Sequence, residues 1–504
     1  MSNNRNILRS VILMSYVLII ALAIYGISAV LSYLNTGADR GKMLHTEIKQ
    51  VDQYVPEFTW TSLSNKGRPI DAQTLAAIEK DYLDAWYVKH VSYLTNTTAG
   101  IDDYYTESAR ENIFNVISLN EQQKTNIEGT TLKHHPTLEF FSEDGQLAVL
   151  TDHDVIEYKR IFNAEKLVAE INEKSTYKVT LLLEDGFWRI RHLIRVKSTP
   201  IKTSKNTNPK EFIGFKGINY YPQASPWSMY GDQFDTKIIS KDFQIIKSAG
   251  LNSIRIFVPY EDFGRHNVSK DKLEKLVQVL DLAENHELKV LVTLFDFYGD
   301  YSVLNWSLTQ RHAKIIVNTL KSHKALLGWD LKNEPDLDFE NRSKDLVSAW
   351  LDKMIAFVKS QDSIHPITIG WSNVKSAQLL NETLDFISFH YYEDLEELTE
   401  HYKVLKSKVK DKPIAITEYG ISSYSGFWNP FGNTEDDQAE YHKTIQSIFS
   451  KQQLSFMSWT LYDFNKIPKE VVGKLPWRKN AQKHFGFIDI NGAKKGAFKF
   501  ISKE

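Results

Sequence analysis

Two short phrases set glutamates where they could work as a pair. Gly328-Trp329-Asp330-Leu331-Lys332-Asn333-Glu334-Pro335 and Pro413-Ile414-Ala415-Ile416-Thr417-Glu418-Tyr419-Gly420 each carry an apolar, strand-like run into a glutamate. On strands of one barrel, both carboxyls would lie at its mouth. Two facing carboxyls can cleave a glycosidic bond with retention. One attacks as nucleophile, and the other protonates the leaving oxygen and then activates water. The acid needs a raised pKa, which a nearby anionic carboxylate supplies. The nucleophile must stay ionised, which a cation within reach secures.

The elements that must position these residues follow from the pattern after Glu211. Strands are expected at Phe212–Tyr220, Ser253–Val258, Lys289–Phe295, Leu326–Leu331, Ile367–Trp371, Phe386–His390, Ile414–Thr417 and Phe456–Leu461. Their near-continuous apolar runs suit parallel strands buried on both faces. Amphipathic patterns at Lys270–Glu284, Leu308–Leu320, Lys344–Lys359, Leu395–Lys408 and Asp436–Phe449 predict helices between them. Gly250 falls where a helix C-cap is wanted, before the second strand. The expected fold is α/β, a (β/α)8 TIM barrel. A doubly wound open sheet would bring a Gly-rich phosphate turn after its first strand. That position reads Gly217-Ile218-Asn219-Tyr220-Tyr221-Pro222 instead.

TIM-barrel sites lie at the C-terminal strand ends. There the sequence puts Asn219 and Tyr220, Arg255, Asp296, Asn333 and Glu334, Trp371, His390 and Tyr392, Glu418, and Trp459. The loop aromatics Trp227, Trp306, Phe427, Trp428 and Trp477 are candidate walls for further sugar units.

Asn252-Ser253-Ile254-Arg255-Ile256, the Glu334 phrase, Phe389-His390-Tyr391-Tyr392 and Thr417-Glu418-Tyr419-Gly420 stand in an order that resembles the clan-A glycoside hydrolases, family 5 among them. The resemblance covers about residues 211–490. It implies Glu334 as acid/base and Glu418 as nucleophile. Arg255 would hold Glu418 ionised, and Tyr392, lining the same site with His390, would donate to Glu418 or to a sugar hydroxyl. Asn333 would bond the substrate 2-hydroxyl, and Trp459 would form the platform at the cleavage point. It implies an oligo- or polysaccharide substrate and no metal or organic cofactor. Family members often carry a histidine near the end of strand three. Leu294-Phe295-Asp296-Phe297-Tyr298 has none, leaving Asp296 or Tyr298 to fill that space.

The first 200 residues have another texture. A helical pattern at Asp71–Leu94 precedes strands at Thr137–Phe141, Leu147–Asp152, Ile156–Ile161, Tyr177–Glu184 and Gly186–Val196. One helix and a curled antiparallel sheet resemble the NTF2-like (SnoaL-like) cone, an α+β fold, over residues 70–198. Such cones serve as enzymes, ligand binders or dimerising spacers, so a homodimer through this domain is one expectation. His134-His135 and His153-Asp154 are poor chelates, because neighbours on a strand point to opposite faces. They are expected to be surface or core residues. Lys197–Lys210 is polar, without apolar periodicity, and reads as a linker.

Val11–Leu34 carries no charge and is dominated by apolar residues. About 20 such residues span a bilayer as a helix. The expectation is a single-pass anchor with Arg5 and Arg9 on the cytoplasmic side. A cleaved signal peptide is the alternative, and either places the rest outside the cytoplasm, periplasmic or extracellular. The expected organisation is an anchor at 1–34, a stalk at 35–69, the cone at 70–198, a linker at 199–210 and the barrel at 211–504. At 504 residues the chain exceeds one ordinary core. A net charge of −2 gives no reason to expect a nucleic-acid partner. The absence of cysteine excludes disulfides and thiolate chemistry.

The functional expectation is an anchored β-glycosidase acting on β-linked glucan or mannan. Two alternatives stay open. One is a noncatalytic glycan-binding component of a polysaccharide export system. The other is a transglycosylase remodelling an exopolysaccharide.

Overall fold

The computed structural model describes residues 2–34, 54–201, 210–410, 412–426, 429–473 and 475–502. Ser2–Leu34 is one helix, and it includes the uncharged run that begins at Val11. The side chains described on it, Leu13–Ser28 and Val30, are exposed. Among the described residues no helix is long and apolar enough to cross a membrane. The anchor therefore stays an expectation of the sequence.

The region 54–200 is a helix-covered sheet. Its strands are β1 (Glu57–Phe58), β2 (Thr125–Phe141), β3 (Leu147–Asn163), β4 (Lys166–Glu184) and β5 (Phe187–Pro200), side by side in that order. Strands β2 to β5 run antiparallel, and β1 joins β2 in parallel. Two differences from expectation have physical causes. The segment expected to be a free stalk up to residue 69 instead lies along the open edge of β2 from residue 57. Thr59, Thr61, Lys66 and Arg68 donate backbone bonds to His134, Pro136, Glu139 and Phe141. A second helix, Glu107–Gln123, accompanies the expected one at Ala72–Thr95. Ile113 and Ile117 are its buried apolar residues, with Ala109 and Phe114 partly buried against the same core. Trp86, Tyr82, Leu138 and Trp188 centre this region's core. His134 is buried with Nδ1 2.6 Å from Asp152 and Nε2 2.7 Å from Thr131. His153 and Asp154 are exposed.

The rest is a closed barrel of eight parallel strands. They are β6 (Lys216–Asn219), β7 (Ser253–Pro259), β8 (Lys289–Asp296), β9 (Leu326–Asn333), β10 (Ile367–Trp371), β11 (Ile387–Tyr391), β12 (Ile414–Tyr419) and β13 (Ser455–Ser458), in sequence order around the ring. Strand β6 is shorter than expected. Phe212 and Phe215 precede it and pack with Leu291, Leu327, Phe386 and Met457 at the N-terminal end of the barrel. Gly250 takes φ +81° at the end of the helix Thr236–Ser248, the left-handed turn expected there.

The sheet region rests on the barrel. The rings of Tyr158 and Trp306 lie 4.4 Å apart, and the Lys353 ammonium lies 5.3 Å from the Tyr158 ring. Trp306 is thus buried in this contact and is not a wall for substrate.

Candidate active site

Parallel register brings the polar residues of neighbouring strands level. Asn219 pairs with Arg255 across β6 and β7. Thr293 pairs with Asp330 across β8 and β9, and His390 with Glu418 across β11 and β12. Barrel closure converts these neighbours into one ring of side chains.

Arg255 is the hub. Its Nε and Nη2 donate to Asp330 Oδ2 at 2.9 and 2.6 Å. Nη2 also donates to Asn333 Oδ1 at 2.8 Å. Nη1 donates to Asn219 Oδ1 at 2.9 Å and to Glu418 Oε2 at 3.3 Å. Asp330 is fully buried and accepts further bonds from Thr293 at 3.0 Å and the Gly370 N–H at 2.8 Å. A buried guanidinium with such partners is fixed in charge and direction.

Glu418 takes a second donor, the Tyr392 hydroxyl, at 2.6 Å from Oε1. The Tyr392 ring lies open to the cavity while its hydroxyl turns inward. Burial and the Glu418 charge raise that hydroxyl's pKa well above its ordinary value, so it remains a donor. Glu334 follows β9 with φ 45°, a left-handed conformation costly for a residue with a side chain. Its N–H donates to Gly370 O at 2.7 Å, and its Oε1 lies 2.8 Å from His390 Nδ1. Burial lowers the His390 pKa, but the charge of Glu418 and the bond to Glu334 outweigh it and raise the net value.

Single oxygens of Glu334 and Glu418 and a ring nitrogen of His390 all lie within 4.8 Å of one another. Glu393, Glu397 and His401 form a second such group outside the barrel mouth. Either set has donors of the kind that ligate a divalent ion.

A cavity of about 430 Å³ opens over the two glutamates. Its walls include Tyr221, Trp227, Phe257, Asp296, Lys332, Asn333, Tyr392, Trp459 and Phe485. Trp227 and Trp459 meet with ring centres 5.7 Å apart. Burial pushes the Asp296 carboxyl up to about 7, against the pull of Lys332 and Arg255.

Several residues sit elsewhere than the sequence suggested. Asn219 is buried beneath Arg255, its amide donating to Thr417 O and Ser458 O, so it supports the hub and does not line the cavity. Tyr220 points outward and donates to Asp242 at 2.8 Å. The strand alternation that sends Asn219 inward sends Tyr220 out. Trp371 is fully buried beside Phe339 and is not part of the cavity wall. Arg255 is likewise enclosed and acts through Glu418, Asn333 and Asp330. Tyr298 packs against Trp350 with ring centres 4.8 Å apart, so Asp296 is the one that reaches the cavity from this strand end. Trp477, on the helix Pro476–Lys483, is not part of the wall either. Phe427 and Trp428 lie outside the described residues.

Asp330, Lys332, Tyr221, Phe257 and Phe485 were not singled out from the sequence. Alternation along the Glu334 phrase could have found Asp330, since it shares the inward face with Lys332. Phe485 comes from a loop without periodicity and left no signal.

Residues 204–465 match the family described as cellulase (glycosyl hydrolase family 5). The mannan endo-1,4-β-mannosidase A of Emericella nidulans is 24% identical over 196 residues, covering 31% of this chain and 51% of that one. The β-glucuronidase of Chlorocebus aethiops is 25% identical over 293 residues, covering 53% and 41%. The chain thus spans about half or less of these curated relatives. Among solved structures, an exo-β-1,4-mannosidase from Opitutaceae bacterium strain TAV5 superposes with a TM-score of 0.49 at 17% identity, covering 57% of this chain and 58% of that one. The family match covers just over half of the chain, which therefore belongs to the cellulase family, glycosyl hydrolase family 5, a family of retaining glycoside hydrolases.

Proposed function

We propose that this protein hydrolyses β-linked mannan, glucan or a related polysaccharide by double displacement. The observation that carries the reading is the approach of one carboxyl oxygen of Glu334 and one of Glu418 to within 4.8 Å in one cavity. Retaining enzymes hold their carboxyls about 5 Å apart, and inverting ones leave about 6.5–9.5 Å for a water.

Glu418 is the nucleophile, because Arg255 and Tyr392 both donate to its oxygens and favour the anion. Its carboxylate bonds to the anomeric carbon as the bond to the leaving oxygen breaks. Glu334 gives its proton to that oxygen. In the second half Glu334 takes a proton from water, the water oxygen bonds to the anomeric carbon, and Glu418 leaves as carboxylate. Asn333 uses its Oδ1 on Arg255, which turns its amide N–H toward the cavity and a substrate hydroxyl. Trp459 and Trp227 offer apolar faces to a sugar ring.

The reading extends to the rest of the chain. The apolar segment near the N-terminus supports a membrane anchor with the barrel outside the cytoplasm. A helix packed on a curled antiparallel sheet supports an NTF2-like domain, and a core separate from that of the barrel supports the division into domains.

Incubating the full chain with β-mannans, β-glucans and xylans, with products read by mass, tests the proposal. The mannosidase of Emericella nidulans makes mannan the first choice. Cleavage by wild type, lost by about 10³-fold or more in Glu334→Ala and Glu418→Ala, is expected. Equal turnover by the Glu418→Ala protein refutes it.

A further inference from the structure

The cavity holds a third carboxyl that the double displacement does not use. Asp296 ends β8, is 3% exposed and shares the cavity with Glu334 and Glu418. Its carboxyl accepts the backbone N–H of Phe297, and burial pushes it up to about 7. Phe297 sits at φ 56°, a conformation that side-chain-bearing residues adopt only where the surroundings enforce it. The turn that aims Asp296 into the cavity is therefore held in place.

The cations nearby are already engaged. A guanidinium has five N–H donors, and all five of Arg255 are directed at Asp330, Asn333, Asn219 and Glu418. Lys332, the other cation near Asp296, has Asp338 Oδ2 3.6 Å from its ammonium. Above the Asp296 pKa of about 7, a sugar carboxylate entering the cavity would meet the carboxylates of Asp296 and Glu418 with no uncommitted guanidinium N–H to receive it. In a site walled by aromatic rings, such a meeting of like charges is strongly unfavourable. A hydroxyl carries no charge and donates readily to a carboxylate.

We propose that Asp296 is a specificity-determining residue, accepting hydrogen bonds from hydroxyls of a neutral hexosyl unit and excluding a unit that bears a carboxylate. The assignment rests on the cavity being a sugar site.

The test uses full-length Glu334→Gln protein, which keeps Arg255, Glu418 and Asp296 unchanged. Calorimetry at a pH above the Asp296 pKa compares matched trisaccharides, β-1,4-mannotriose against β-1,4-trimannuronate and cellotriose against its uronate counterpart. A neutral sugar should bind about tenfold or more tightly than its uronate partner. Adding Asp296→Asn should shrink that ratio several-fold, and Asp296→Ser should do the same, with circular dichroism verifying the fold of each. Equal binding of the two partners, an unchanged ratio in both folded variants, or binding of neither neutral sugar overturns the proposal. Turnover by wild type is read separately. If it cleaves none of these sugars while the binding ratios behave as stated, the hydrolase reading fails and the Asp296 assignment stands.

Discussion

His390 Nδ1 lies 2.8 Å from Glu334 Oε1 and 3.8 Å from Glu418 Oε2, so one buried imidazole touches both glutamates. The charge of the ring is therefore coupled to both carboxyls. Burial alone would depress its pKa, and the two carboxylates reverse that.

The first prediction is a titration. By NMR the His390 ring should titrate above the ordinary 6.5. Because the folded value is raised, the stability the imidazolium contributes is present below the unfolded pKa and is lost as pH rises through the folded one. Glu334→Gln should move the midpoint down. A midpoint below 6.5 in wild type would show that desolvation wins.

Tyr392→Phe removes the donor at 2.6 Å from Glu418 and nothing else. Bonds to charged groups contribute about 1.5–3 kcal/mol, so kcat/KM should fall about 10–100-fold. The melting temperature should hardly move, since the Tyr392 ring is exposed.

Gly370 has no room for a side chain. An added Cβ would lie 2.8 Å from Arg255 Nη2, 3.0 Å from His390 Nε2 and 3.1 Å from Asp330 Oδ2. Gly370→Ala should therefore displace the hub, with a stability loss of about 1–3 kcal/mol and a much larger proportional loss of activity. Denaturant unfolding and kinetics on the same protein separate the two effects. Unchanged activity would mean that Arg255 can shift without consequence.

Asp330→Ala leaves the buried Arg255 charge without its main partner. Losing one member of a buried pair costs about 3–5 kcal/mol. Chemical denaturation should show that loss, and Asp330→Asn should lose less because it keeps an acceptor for the guanidinium. Equal stability of wild type and Asp330→Ala would remove Asp330 from the hub.

The barrel was legible because buried parallel strands write themselves as apolar runs, and five of the helices between them keep their period. The residues Glu334, Glu418, Arg255, His390, Tyr392 and Trp459 fell together because strand ends share one rim. Asn219, Tyr220 and Trp371 show where that logic stops. A strand end shows which residues lie near the mouth, but which of two adjacent side chains faces in depends on register, as Asn219 and Tyr220 illustrate. Asp330 lay inside the quoted phrase and was passed over because its role depends on Arg255, a residue far away in sequence. The edge strand β1 was hidden for a different reason. Its bonds to β2 are made by backbone, which no side-chain pattern records.

The most direct test of the double displacement is a covalent trap. Full-length protein is incubated with activated 2-deoxy-2-fluoro-β-mannoside and the matching glucoside, then digested and read by mass spectrometry. One sugar is expected to be bonded to the peptide that contains Glu418, and to be absent in Glu418→Ala. A protein that cleaves glycan yet carries the sugar on another residue, or releases product with inverted anomeric configuration and no adduct, would contradict it.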